Sequence, residues 1–311
     1  MTHLVLTTRS LPFPPIEAAG EPVEFRIFEG AASARGARAL VSTSLDVVDA
    51  AMIAELPQSV GLIVNIGVGV DKIDLAAAGA RNITVANTPN VVEDTADLAF
   101  ALILDACRRV SWNDRFVRAG LWTAPAEMAA MGLRVSGKTL GLVGFGPIAQ
   151  AVARRARGFN MKTLYWNRSA KGEAERETGA ERIEDLNKLL AAADIVSLHV
   201  ALTPETQRLI DKNAFAAMKP GAVFVNTGRG QLVDEAALID ALQSGRLAAA
   251  GLDVFENEPH VPEALRRMDQ VVLAPHVGSA TDACRMEMGM AALANLISFL
   301  STGAAINVVK R

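Results

Sequence analysis

Thr139-Leu140-Gly141-Leu142-Val143-Gly144-Phe145-Gly146-Pro147-Ile148-Ala149 decides the fold. An apolar run of strand type enters a G-x-G-x-x-A turn, and a helical pattern over residues 148–158 leaves it. Each small residue has a physical task. Gly144 permits the tight turn, Gly146 lets backbone approach a pyrophosphate, and Ala149 lets helix and strand pack closely. The helix N-terminus then presents unbonded N–H groups and a partial positive charge to an anion. Pro147 sits in the first helical turn, where its missing N–H costs little. A tight strand-to-helix turn without a ligand is the plainer reading, but the strand–turn–helix context favours a dinucleotide.

Next along the chain is the place for a ribose. The following strand, residues 162–166, runs into Asn167-Arg168-Ser169. A carboxylate about 20 residues beyond the glycines would grip the 2′-hydroxyl of NAD, and none stands there. Arg168 suits a 2′-phosphate, and Asn167 and Ser169 offer it hydrogen bonds. NADP is therefore expected over NAD.

Further outward, a βα series continues through predicted strands at 195–199, 222–226, 249–253 and 271–274. Upstream, apolar runs at 4–6, 23–28, 39–41, 61–64 and 83–85 alternate with helical spacing at 45–56 and 71–80. Such alternation argues for parallel sheets covered by helices. Between the two series, Asn90-Val91-Val92-Glu93 reads as a helix cap with a carboxylate three residues on. A long helix is expected from it through Leu98, Leu102, Ala106 and Val110, then an arm broken by Pro125, Met128 and Met131. A last helix starts after Ser279 and stops at Gly303. The expected domains are 1–91, an inserted 92–280, and a helix, 281–311, that returns to the first.

The 311 residues exceed what one core usually holds. Half are hydrophobic, and the formal net charge is −3, so no basic excess marks a nucleic-acid partner. No apolar run reaches the length of a membrane span. The two cysteines, Cys107 and Cys284, form no C-x-x-C, which suits a reducing compartment, and the first residues do not read as a secretory signal; a cytoplasmic location is expected.

There are four histidines. His3 is expected at the surface, His199 as a satisfied structural residue at a strand end, and His260 in a loop. His276, in Pro275-His276-Val277-Gly278-Ser279, follows the last predicted strand, where open parallel sheets bind ligands. The same rule selects Asn226-Thr227-Gly228-Arg229-Gly230. Two glycines there leave the backbone able to turn and expose a guanidinium suited to a carboxylate. Gly251-Leu252-Asp253-Val254-Phe255-Glu256-Asn257-Glu258 follows another strand: Glu258 is placed to support His276, and Asp253 to hold a nicotinamide carboxamide. No metal ligand set is visible.

These stretches, in this order, resemble the D-isomer-specific 2-hydroxyacid dehydrogenase family, in its glyoxylate/hydroxypyruvate reductase branch. Asn65-Ile66-Gly67-Val68-Gly69-Val70-Asp71 and Asn87-Thr88-Pro89 match it too, so the similarity spans nearly the whole chain. It implies an α/β fold of two doubly wound parallel-sheet domains, a Rossmann cofactor domain inserted into a flavodoxin-like substrate domain. It also implies a homodimer through the long helix and its arm. Arg229, Glu258 and His276 are the implied catalytic residues, with the substrate carboxylate taken by Arg229 and the backbone of Val68 and Gly69. The implied cofactor set is Gly144, Gly146, Pro147, Ile148, Asn167, Arg168, Ser169, Pro204, Thr206, Thr227, Gly228, Arg229, Asp253, His276, Gly278 and Ser279. Pro147 departs from the arginine usual in the family, and Ala149 replaces a third glycine. The implied reaction is NADPH-dependent reduction of a small 2-oxo acid. Bulkier aromatic 2-oxo acids are an alternative, since Leu45, Met128 and Met131 suit either pocket size. A nucleotide-sensing corepressor on the same fold is a third reading, disfavoured by the intact triad.

Overall fold

Each apolar run that the pattern singles out becomes a parallel strand, in two separate sheets. The structure is a computed structural model and describes residues 2–123 and 131–309. The chain divides into two compact units, residues 1–91 with 279–311, and residues 92–278.

In the first unit the strands are β1 (His3–Thr7), β2 (Glu17–Ala18), β3 (Glu21–Ile27), β4 (Ala37–Thr43), β5 (Leu62–Ile66) and β6 (Thr84–Ala86), in spatial order β2-β3-β1-β4-β5-β6. All neighbours are parallel except β2 on β3. The parallel part has the 2-1-3-4-5 order of flavodoxin-like sheets, with a short antiparallel strand added at one edge. Alternate residues of each strand feed two cores. Leu4, Leu6, Leu40 and Ile63 meet Ile53 of α1 (Ala50–Glu55) and Ala78 of α2 (Leu75–Ala80) on one face. Val5, Val41 and Val64 meet Leu293, Leu296 and Phe299 of the C-terminal helix α11 (Asp282–Thr302) on the other.

Three expectations change here. α1 begins at Ala50 and not near residue 45, because Val48 is held extended by a bridge to Ile73 and Asp49 caps the helix through the Met52 N–H. α2 likewise waits for its cap, Asp74. His3 is no surface residue: its side chain is 12% exposed, with Nε2 on the Ala18 carbonyl.

The second unit holds seven parallel strands: β7 (Thr139–Val143), β8 (Lys162–Trp166), β9 (Glu181–Arg182), β10 (Ile195–Leu198), β11 (Ala222–Asn226), β12 (Leu247–Leu252) and β13 (Val271–Leu273). Their order is β13-β12-β11-β10-β7-β8-β9, the dinucleotide-binding order with one strand added, so the chain reverses direction between β7 and β10. One face packs on α3 (Val92–Arg108) and α5 (Pro147–Arg157). The short α6 (Gly172–Thr178) joins that face through Ala174, and the other face packs on α7 (Leu186–Ala192), α8 (Lys212–Ala217), α9 (Glu235–Gln243) and α10 (Glu263–Arg266).

The expected single long helix is two. Arg109 takes a left-handed φ of 55° and a new helix, α4 (Val110–Arg118), follows. Asp105 causes the break: its carboxylate accepts from the Ser111 N–H at 2.8 Å and from the Ser111 hydroxyl, supplying a cap that competes with continuation. Glu93 does not reach back to cap α3; its carboxylate pairs with Arg154 and Arg155 of α5, each at 2.9 Å. Pro125 and Met128 lie outside the described residues, and Met131 is exposed. Both cysteines are buried, and no disulfide joins them. Burial pushes the Cys107 thiol up to about 11, and Cys284 donates to the Asn90 carbonyl. No helix of the described residues is long and apolar enough to cross a membrane, and no metal-ligand cluster is found among them.

Candidate active site

The C-terminal ends of the second unit's central strands carry the chemistry. β7 ends in Gly144, whose φ of +95° only glycine holds readily. A Cβ there would come within 2.7 Å of the His199 backbone at the end of β10. Gly146 is the N-cap of α5, Pro147 stands in its first turn, and Ile148 follows. A Cβ on Gly146 would meet nothing within 4 Å, so the helix N-terminus opens onto space. Ala149 is fully buried against the sheet. The buried Thr227 hydroxyl, just past β11, meets no partner among the described residues. An anion-ready helix start and an orphaned hydroxyl at the same edge of the sheet fit a dinucleotide.

Past β11, Asn226 shapes the next turn. Its Oδ1 accepts from the Gly228 N–H and its Nδ2 donates to the Arg229 carbonyl, both at 2.9 Å. Gly230 is not there for freedom to turn, as the sequence suggests. A Cβ on it would lie 1.9 Å from the Phe255 carbonyl carbon, so the Arg229 turn rests directly on the backbone that leads to Glu258. Gln231 Nε2 donates to the Glu256 carbonyl at 2.6 Å and binds the two loops together.

Glu258 and His276 meet. His276 Nδ1 lies 2.7 Å from Glu258 Oε2, with both side chains about three-quarters buried, at 26% and 21% exposure. The Phe255 N–H donates to the other carboxylate oxygen at 3.0 Å. Burial pushes the Glu258 carboxyl up. The hydrogen bond and charge of His276, the Phe255 N–H and the charge of Arg229 outweigh that and hold it below the usual range. Glu258 is thus an anion clamped on Nδ1, which turns Nε2 outward as the working nitrogen.

His276 itself has a φ of 55°, a left-handed conformation that persists in a residue with a Cβ only where its surroundings impose it. Asp253 imposes it. The His276 N–H donates to the Asp253 carbonyl at 2.8 Å, and the Val277 and Gly278 N–H groups donate to its carboxylate at 2.8 and 2.9 Å. Both Asp253 carboxylate oxygens grip the His276 loop, and each keeps a lone pair for a further donor such as the carboxamide expected there. Burial raises its carboxyl against the pull of these donors and of the His276 charge.

At the end of β8, Asn167 Nδ2 donates to the Ser169 carbonyl at 2.9 Å, and Arg168 is exposed. Pro204 and Thr206 lie in a turn closed by Thr206 Oγ1, which accepts from the Thr203 N–H and donates to the Ala201 carbonyl. Glu205, in that turn, is held low chiefly by its hydrogen bond to Thr203 and lies within charge range of Arg168. His199, expected to be structural, shares a 2.9 Å hydrogen bond with Ser197, and burial pushes its imidazole down to about 4. Ser279 begins the C-terminal segment of the first unit. Val68 and Gly69 belong to that unit, in a loop after β5 that Asn65 fixes by donating to the Gly67 and Gly69 carbonyls at 3.3 and 2.7 Å.

Residues 100–278 match the family model of the D-isomer specific 2-hydroxyacid dehydrogenase NAD binding domain. This chain belongs to the D-isomer-specific 2-hydroxyacid dehydrogenases. Within the family it falls in the glyoxylate reductase branch: the glyoxylate reductase of Thermococcus litoralis is 46% identical over 278 residues, 88% of this chain and 83% of that one. That of Pyrococcus furiosus is 41% identical over 313 residues, covering 96% and 93%. Among solved structures, a glyoxylate reductase from Paecilomyes thermophila superposes with a TM-score of 0.89 at 34% identity, covering 99% and 98% of the two chains. An NADPH-dependent glyoxylate/hydroxypyruvate reductase from Sinorhizobium meliloti, in complex with NADP and malonate, gives 0.88 at 32%, covering 99% and 96%. As a member of this family the chain is an oxidoreductase that uses a nicotinamide cofactor.

Sequence reasoning missed the tie that Gln231 makes in this dehydrogenase's site. Gln231 acts through a backbone carbonyl and carries no motif of its own, and Asn226, though part of a motif, shows no role for its side chain in the sequence. For Asp253 the sequence did not disclose the grip on the His276 loop, because its two N–H donors follow it by 24 and 25 residues.

Proposed function

We propose that the protein reduces small 2-oxo acids, glyoxylate and hydroxypyruvate, to the 2-hydroxy acids, of D configuration where the product is chiral, and prefers NADPH. The observation that carries this reading is the 2.7 Å His276–Glu258 pair, at the same C-terminal edge of the sheet as the Arg229 turn and the Gly144 turn. Arg229 takes the substrate carboxylate through its planar fork and polarises the 2-oxo group. The reduced nicotinamide, when bound, supplies the hydride that adds to the carbonyl carbon. His276 Nε2 gives its proton to the oxygen as negative charge develops there, and Glu258 stabilises the imidazolium before transfer. One hydride and one proton convert the 2-oxo carbonyl, an aldehyde in glyoxylate and a ketone in hydroxypyruvate, to the alcohol, so the balance needs no further group. The curated relatives that act on glyoxylate support the substrate class, and the relative seen with NADP supports the cofactor. So does the absence of any carboxylate in Asn167-Arg168-Ser169. The homodimer implied by the resemblance belongs to this proposal and is read from the mass in solution.

The test is kcat/KM for glyoxylate, hydroxypyruvate and phenylpyruvate with each of NADPH and NADH. Highest values for the two small acids with NADPH are expected. A preference for phenylpyruvate overturns the substrate reading, and a preference for NADH the cofactor reading.

A further inference from the structure

β9 pairs with β8 so that Arg182 stands opposite Tyr165, one strand away from the loop 167–169. Arg182 Nη2 donates to the backbone carbonyls of both Asn167 and Arg168, at 3.3 Å each, and its Nη1 pairs with Glu184 at 3.2 Å. A trans peptide points its N–H opposite to its C=O. Fixing the Asn167 carbonyl therefore fixes the Arg168 N–H, and fixing the Arg168 carbonyl fixes the Ser169 N–H. Both N–H groups are turned away from Arg182. Asn167 Nδ2, on the Ser169 carbonyl at 2.9 Å, closes the turn from its other end. Tyr165 secures the strand beneath: its hydroxyl binds Glu175 and accepts from the Lys171 N–H. Two successive N–H groups held to one side form a concavity for an anion, and the exposed Arg168 side chain leaves from between them.

We propose that Arg182 is a positioning residue for cofactor choice: by pinning two carbonyls it presents the Arg168 and Ser169 N–H groups, with the Arg168 guanidinium, to a phosphomonoester on the ribose 2′ position. The proposal rests on the NADPH reading above and deepens it. Arg182 also places a fixed positive charge behind the cradle. Glu184 beside Arg182 and Glu205 within charge range of Arg168 oppose the anion, but both carboxylates are exposed and therefore strongly screened. The pinning explains how a wet, exposed Arg168 discriminates at all. A flexible guanidinium alone loses most of its gain to ordering and solvent, whereas preorganised backbone donors have no such cost.

The experiment is calorimetric titration of the full chain with adenosine 2′,5′-bisphosphate and with adenosine 5′-monophosphate, in wild type, Arg182→Met, Arg182→Lys and Arg168→Ala. Wild type is expected to bind the bisphosphate at least about tenfold tighter, the scale of one charge-assisted hydrogen bond. Arg182→Met should cut that ratio about five- to tenfold while the monophosphate affinity moves less than about twofold. Arg182→Lys, a point charge that cannot span two carbonyls as the fork does, should recover at most half of the lost ratio on a logarithmic scale. A wild type without preference for the bisphosphate removes the NADPH reading itself. A wild type with the preference and an Arg182→Met that keeps it overturns only the role of Arg182. Equal losses for both ligands make Arg182 merely structural. Should Arg182→Met not fold, Arg182→Lys decides: full discrimination shows that charge alone matters and overturns the pinning.

Discussion

Replacing the His276 imidazole by a methyl group takes away the proton donor and leaves the Asp253 clamp on the neighbouring N–H groups in place. His276→Ala is expected to lower kcat by about 10²–10⁴-fold, with the cofactor dissociation constant within about threefold of wild type. Stopped-flow turnover and fluorescence titration of NADPH check the two halves, and near-normal kcat at neutral pH would refute the role. Arg229→Lys should recover little of the activity lost in Arg229→Ala, since an ammonium cannot offer two parallel donors. Asp253 gives a sharper case because stability and activity should separate. Its carboxyl is raised by burial, so the folded protein holds that proton more tightly than the unfolded chain. The ionised form therefore costs stability as pH rises from the unfolded value through the folded one, and the cost persists at neutral pH. Asp253→Asn removes the buried charge but offers one acceptor where Val277 and Gly278 need two. Expected are a urea midpoint no lower than wild type and kcat reduced at least about tenfold, the size of one lost hydrogen bond to a charged group. A midpoint that falls while kcat holds would reverse the assignment.

Elements in this molecule are positioned by backbone resting on backbone. Gly230 seats the Arg229 turn on Phe255 with no room for a methyl group. Gly230→Ala should destabilise the protein by about 2 kcal/mol or more and raise KM for the 2-oxo acid, since Arg229 is lifted from its seat. An unchanged denaturation midpoint would show that the loops separate easily. The same closeness explains what sequence could and could not disclose. Strand β11 was legible to the residue, because a parallel strand buried on both faces is a near-continuous apolar run flanked by turn residues. The helix that would have run from 92 past 110 was not: its break depends on Asp105 finding Ser111, which no periodicity records. The early starts drawn for α1 and α2 failed likewise, because the pairing of Val48 with Ile73 holds extended a segment with helical spacing. At the site, residues with a motif were visible, and those that act only on backbone carbonyls, such as Gln231 and Arg182, were hidden by having none.

At the scale of the whole molecule, pH acts through His199. Its imidazole is held down to about 4 by burial, against an ordinary 6.5. The folded state thus refuses a proton that the unfolded chain accepts between these values. Stability is full above about pH 6.5 and is lost as pH falls toward 4, by up to about 3 kcal/mol from this one group. His199→Asn should flatten that part of the stability profile, measured by urea unfolding at pH 7, 6, 5 and 4.5. A wild type and variant that lose stability in parallel would place the acid sensitivity elsewhere.

Both native thiols lie out of reach of solvent, and burial displaces that of Cys107 toward the protonated form. A maleimide or iodoacetamide reagent attacks the thiolate and has to touch it, so the folded protein should remain unmodified where an unfolded one takes up two adducts. A cysteine introduced at an exposed position such as Ser169 would then carry a fluorophore alone, with no native residue replaced to make room for it.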